Sequence, residues 1–310
     1  MSNKVRFIDL FAGIGGFHIA FHRLNAECVF ASEIDKHART TYEHNLKHIS
    51  PELFKNGLFN DDILKITDAN SQIPDFDILC AGFPCQPFSQ AGFKRGFGEN
   101  LDARGNMFFR ICDIIKEKRP KAFFLENVRH LIKHDNERTF ATIKKILEKD
   151  LNYTFHYKVV KASEHGLPQH RPRVFIVGFD KDYYPDPSGF EFPEAVPLEM
   201  TMSDIWGGKC SKDIGYTLRV GGRGSGLHDR RNWDSYLVDG KERRLSPKEG
   251  KKMMGFPDNF EFPVSEVQAL KQLGNSVAVN AVQATAQSIL EHMKILDEEI
   301  NKTGKIQAYA

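Results

Sequence analysis

One cysteine, one glutamate and a pair of arginines stand where side chains could do chemistry. Cys85 lies in Gly82-Phe83-Pro84-Cys85-Gln86-Pro87-Phe88-Ser89, just past an apolar run over residues 76–83. Thiolate is the reactive form, and an unperturbed thiol has a pKa of about 8.5, so a nucleophilic cysteine needs neighbours that favour the anion. The Pro-Cys-Gln-Pro flanks belong to a turn, whereas Cys28, Cys80 and Cys112 read as small buried hydrophobes. Glu126 ends the apolar run Phe123-Phe124-Leu125. A partly desolvated carboxyl there would hold a raised pKa and share a proton, although a plain strand end or helix cap uses the same residue. Arg171 and Arg173 bracket Pro172, where they would clamp anionic or carbonyl oxygens or form a solvated basic turn.

A fourth segment suits a nucleotide. Asp9-Leu10-Phe11-Ala12-Gly13-Ile14-Gly15-Gly16 follows an apolar run, and the acid Glu33 ends the next one. Glycines at such a turn let a ligand approach the backbone, and an acid one strand over accepts hydrogen bonds from ribose hydroxyls. The spacing is not the dinucleotide pattern Gly-x-Gly-x-x-Gly, so an ordinary strand-to-helix turn stays an alternative.

These residues need a sheet to converge. Residues 5–11, 28–32, 76–83, 122–125, 155–160 and 174–177 read as strands. Residues 16–25, 36–47, 105–118 and 136–149 read as helices between them. Repeated strand–helix units predict a mostly parallel α/β sheet of Rossmann-like type. The last two strands lack an intervening helix, which predicts a hairpin that adds an antiparallel edge. After about residue 180 the chain becomes rich in Gly, Pro, Arg and aromatics. The expected division is 1–182 plus 273–310 as one domain and 183–272 as a smaller, mainly β or irregular one. A capped helix is expected at 246–254, and a long helix at 276–296 with Val282, Ala286, Ile289, Met293 and Leu296 on one stripe.

Composition narrows the class. The 310 residues carry a net charge of only +2, so any surface for nucleic acid must be local. Five cysteines without zinc-type spacing fit a reduced, cytoplasmic protein, and the twelve histidines form no metal motif. No apolar run is long enough to span a membrane, and the first residues lack a signal-peptide core.

Taken in order, Phe-Ala-Gly-Ile-Gly-Gly, Pro-Cys-Gln, Glu-Asn-Val, Gln-x-Arg-x-Arg and Gly274-Asn275-Ser276-Val277 resemble the motifs of the cytosine-C5 DNA methyltransferases. The resemblance, of the bacterial restriction–modification type, covers nearly all the chain except about 181–242. It implies S-adenosylmethionine as cofactor, with Phe11, Ala12, Ile14, Gly16, Glu33, Ile34, Asp62, Ile63, Pro84, Met107, Asn275 and Ser276 around it. Ile34 takes the place of a frequent tryptophan, and Asp61 next to Asp62 leaves a one-residue ambiguity. It implies that Cys85 adds to C6 of a cytosine flipped out of double-stranded DNA, with Glu126 at N3 and the exocyclic amine. Arg173 would hold O2 and Arg171 would support the thiolate region. Gln86, Ser89 and Arg104 would touch the DNA backbone from a mobile loop. The 183–272 region would recognise the target, with Thr217 on phosphate and Arg219 or Arg223 on guanine edges. Trp206 and Trp233 would belong to its core. Action as a cytoplasmic, nucleoid-associated monomer, paired with a restriction endonuclease, is expected. Two alternatives stay open: a tRNA cytosine-C5 methyltransferase, although its Cys-Phe-Thr signature is absent here, and a nicotinamide-dependent oxidoreductase.

Overall fold

Strands buried on both faces need side chains that are apolar at consecutive positions, and the runs in the first half of the chain meet that need. The computed structural model describes residues 4–84 and 107–303. The elements are β1 (Arg6–Leu10), α1 (Gly16–Arg23), β2 (Glu27–Ser32), α2 (Lys36–Leu46), α3 (Pro51–Lys55), β3 (Phe59–Asn60), α4 (Ala69–Gln72), β4 (Ile78–Gly82), α5 (Met107–Lys118) and β5 (Ala122–Val128). They continue with α6 (Arg138–Lys145), β6 (His156–Lys161), β7 (Pro172–Phe179), α7 (Met202–Trp206), β8 (Ser235–Val238), β9 (Lys241–Arg244), α8 (Pro247–Met253), α9 (Glu266–Asn275) and α10 (Val279–Thr303).

Seven strands form one sheet in the order β3-β2-β1-β4-β5-β7-β6. Strands β1 to β5 are parallel, and β7 runs antiparallel to both neighbours. The hairpin expected at that end is present, but the antiparallel strand lies one place in from the edge. Strand order reverses between β1 and β4, which opens a crevice at their carboxyl ends. Alternate residues feed two cores. Phe7, Cys80, Phe124 and Val177 face α1 and α10, while Ile8, Leu79, Phe123 and Ile176 face α5 and α6. Burying these three aromatic rings and their aliphatic neighbours contributes about 2 kcal/mol per side chain.

The long carboxyl-terminal helix packs on α1 through the expected stripe, and Val282, Ala286, Ile289, Met293 and Leu296 are all buried. The helix expected at 136–149 begins later, because Asp135, Asn136 and Glu137 all have positive φ. Its end widens into a π turn over Ile146–Asp150. In the 183–272 region the expected irregular structure is joined by the β8–β9 hairpin, α7 and α9. Trp206 and Trp233 are buried there, and their neighbours Met202, Leu218 and Tyr236 belong to the same apolar cluster as α1 and α10. Helix α8 carries a reciprocal Ser246–Glu249 capping box with Pro247 in its first turn. Among the described residues no helix is long and apolar enough to cross a membrane.

Candidate active site

The crevice is built from strand ends. Past β1 the chain turns through Phe11 and Gly13, both with φ of 56°. Glu33, just past β2, clasps this turn: its Oε2 accepts the Gly13 N–H at 2.7 Å and its Oε1 accepts the Asp35 N–H at 2.7 Å. Burial raises the Glu33 pKa, and those backbone donors oppose the rise. A carboxylate held in this way keeps lone pairs for further donors such as ribose hydroxyls. Ile34, beside it, is 74% exposed, an apolar face with no apolar cover.

At the end of β3, Asn60 accepts the Glu33 N–H through its backbone oxygen and the Asp62 N–H through its side chain. Asp61 turns to solvent and pairs with Lys65 at 2.8 Å, whereas Asp62 caps the turn through Leu64 N–H at 3.0 Å. Ile63 is buried. On the other side of the loop a Cβ at Gly16 would lie 2.5 Å from Val277 Cγ2 and 3.3 Å from Ser276 Oγ. Phe11, Ala12, Ile14, Gly16, Glu33, Asp62 and Ser276 are thus linked in one neighbourhood through β1, β2, β3 and the end of α9. Asn275 is exposed beside Ser276, and Pro84 and Met107 flank the segment outside the described residues.

The second half of the crevice holds the acid. Glu126 on β5 lies beside Gly82 on β4 in register, and its Oε1 is 2.9 Å from Arg173 Nε on β7. Burial raises the Glu126 pKa, and the charges of Arg173 and Arg171 oppose the rise. A buried carboxyl raised above its usual pKa is suited to holding a proton. Asn127 donates from Nδ2 to the Phe83 carbonyl at 2.9 Å. It thereby fixes the chain two residues before Cys85, a role that the sequence reading missed. The only sequence signal was an amide next to the strand-ending acid. Cys85, Gln86, Ser89 and Arg104 lie outside the described residues.

Two arginines differ from expectation. Arg171 is buried, and its guanidinium donates to the carbonyls of Leu218 at 3.2 Å, Gly274 at 2.9 Å and Ser276. Those terminal donors are spent on main chain and are not free for a thiolate, while the buried Nε has no hydrogen-bond partner among the described residues. Arg223 is likewise committed, to Asp234, Glu266 and the Leu245 carbonyl. Arg219 is exposed and free of ion pairs among the described residues. Thr217 donates its hydroxyl to the His170 carbonyl. Gln169, also missed, is buried and bridges the Leu218 N–H and the Met253 carbonyl.

The fold is that of methyltransferases. A DNMT2 variant of Spodoptera frugiperda superposes with a TM-score of 0.69 at 19% identity, covering 93% of this chain and all of that one. The Entamoeba histolytica methyltransferase EhMeth gives 0.66 at 18% identity over 94% and 99% of the two chains. Sequence similarity is more specific. The chain is 41% identical to type II methyltransferase M.SsoII of Shigella sonnei, over 93% of this chain and 81% of that protein. It is 36% identical to M.HhaI of Haemophilus parahaemolyticus, over 92% and 94%. The family described as C-5 cytosine-specific DNA methylase matches residues 5–219 and 211–291. The chain therefore belongs to that family and is a DNA cytosine-5 methyltransferase, which removes the oxidoreductase alternative.

Proposed function

We propose that this enzyme methylates C5 of a cytosine flipped out of a specific double-stranded DNA sequence, using S-adenosylmethionine. The observation that carries the reading is the Glu126–Arg173 pair, buried beside Gly82 three residues before Cys85. The residues around the β1 turn fit the cofactor: the clasped Glu33 carboxylate suits the ribose, exposed Ile34 the adenine face, and Asp62 the adenine amine. When bound, S-adenosylmethionine supplies an electrophilic methyl group on a sulfonium.

The Cys85 thiolate adds to C6, and the ring electrons move toward N3. Glu126 holds the proton that N3 then needs, and it accepts from the exocyclic amine. Arg173 keeps the Glu126 carboxyl oriented through Nε, anchors one terminal nitrogen on the Pro172 carbonyl at 2.9 Å, and offers the other terminal nitrogen to O2. C5 becomes enamine-like and is the carbon that is methylated. Loss of the C5 proton and expulsion of Cys85 restore the ring. Both ring faces must be reached, which stacked duplex forbids, so the base leaves the helix.

Residues 183–272 act as the target-recognition region, with Arg219, Thr217 and the loop residues Gln86, Ser89 and Arg104 toward DNA. The names of the type II relatives support a modification role beside a restriction endonuclease. Lys158 and Lys161 on the edge strand β6 disfavour edge-to-edge association and support a monomer.

Bisulfite sequencing of host DNA after expression should reveal one methylated sequence context, lost in Cys85→Ser. Labelled methyl groups should enter duplex DNA and not tRNA. Incorporation into tRNA alone, or methylation that survives Cys85→Ser, would overturn the reading.

A further inference from the structure

A buried cation that has no hydrogen-bonded carboxylate needs a reason, because taking charge out of water is expensive. Arg171 is among the bulkiest fully buried side chains, and its three hydrogen bonds among the described residues all go to main-chain carbonyls. Those carbonyls belong to two segments that are far apart in sequence. Leu218 lies in the recognition region, next to exposed Arg219. Gly274 and Ser276 lie at the end of α9, against the β1 turn.

The two segments also touch directly. A Cβ at Gly274 would fall 2.6 Å from the Arg219 carbonyl carbon and 2.7 Å from its oxygen. Backbone cannot swing aside as a flexible side chain can, so this contact requires glycine. Gln169 and His170 pin the same recognition segment, through the Leu218 N–H and the Thr217 hydroxyl. Beyond Ser276, Val277 and the Ser276 hydroxyl press on Gly16. An unbroken physical path thus runs from Arg219 through Leu218, Arg171 and the Gly274–Ser276 turn to Gly16.

We propose that Arg171 is a positioning residue that couples the two ligand sites, tying the order of segment 217–220 to occupancy of the β1 turn. The proposal rests on the cofactor reading above. Coupling of this kind is reciprocal, so DNA that orders segment 217–220 tightens cofactor binding by the same factor. Lysine keeps the charge at this position but has a single nitrogen, which cannot reach three carbonyls on two segments as the planar fork does.

The test is amide hydrogen exchange of the full chain with and without S-adenosylhomocysteine. In the wild type, exchange should slow over residues 11–16 and, about tenfold, over 217–220. The β8–β9 hairpin serves as the reference and should not change. In Arg171→Lys and Arg171→Gln, protection at 11–16 should persist while protection at 217–220 is lost. Gly274→Ala, which parts the two backbones and leaves Arg171 intact, should weaken the same response. Unchanged exchange at 217–220 in the wild type overturns the coupling, and so does its retention in both Arg171 variants. If a variant fails to fold, the wild-type comparison still decides. A lack of protection at 11–16 refutes the cofactor reading, and the coupling falls with it.

Discussion

The sheet crevice and residues 183–272 hold their polar groups in opposite ways. In the crevice, each acid is fixed by few, specific partners: Glu33 by two backbone N–H groups, Glu126 by one arginine. In residues 183–272, Arg223, Arg231 and Arg244 are consumed as structural ties. Asp234 is fully buried and receives Arg223, Arg244 and the Gly224 N–H. Arg231 pairs with Asp229, and Arg243 lies over the Trp206 ring. A count of basic residues therefore overstates the surface offered to DNA. Among the described residues of this region, Lys209, Lys212, Arg219, Arg230, Lys241, Arg243 and Lys248 are exposed and form no ion pair, and two of these, Lys212 and Arg243, rest over aromatic rings. The lesson is that an irregular region with few regular elements spends charge on holding its own fold, whereas a crevice carried by a large sheet holds its acids with few partners.

The sharpest way to break this comparison is Glu126→Gln. It should lower the single-turnover methylation rate about 10³-fold and leave S-adenosylhomocysteine affinity unchanged by calorimetry. Equal loss of both would mean that the acid serves the fold. Glu33→Ala removes the acceptor for two N–H groups, so cofactor affinity should fall about 30-fold with DNA binding intact. Asp234→Ala should act on stability instead. Urea denaturation should show a loss of roughly 2 kcal/mol, less than for a fully enclosed pair because both arginines reach solvent. Arg219→Ala should keep its melting temperature, weaken DNA binding about tenfold, and reduce the salt dependence by about one counterion.

The smallest effect concerns pH. Burial raises the Asp9 pKa well above its usual value, with the His18 backbone opposing and the Glu33 charge adding. The native state then holds a proton that the unfolded chain releases. Stability from this group is complete below the ordinary aspartate range and is lost as pH rises toward the folded value. Asp9→Asn should flatten that decline in denaturation series from pH 4 upward. An unchanged slope would show that Asp9 ionises freely in the fold.

The sheet was legible because its strands are apolar on both faces, and that pattern placed six of the seven strands and set Glu33 and Glu126 near the ends of two of them. Glu33, Glu126 and Arg173 were found for this reason. The short strand β3 and helix α9 were not, since two residues carry no period and α9 was read only as a motif. Its start could have been found, because Ser265 and Gln268 have the spacing of a cap. The roles of Arg171 and Arg223 were hidden because sequence shows which residues are charged but not which partners the fold delivers. Asn127 and Gln169 were missed for the same reason: their partners are carbonyls and N–H groups distant in sequence.

Four of the five cysteines, Cys28, Cys80, Cys112 and Cys210, are buried. For the first three, burial drives the thiol pKa well upward. Such thiols are slow toward alkylating reagents while the protein stays folded. Labelling under native conditions is then expected at Cys85, and loss of the label in Cys85→Ser checks the assignment. Mass-spectrometric stoichiometry with iodoacetamide thereby becomes a direct count of reactive thiols, without any cysteine having to be removed.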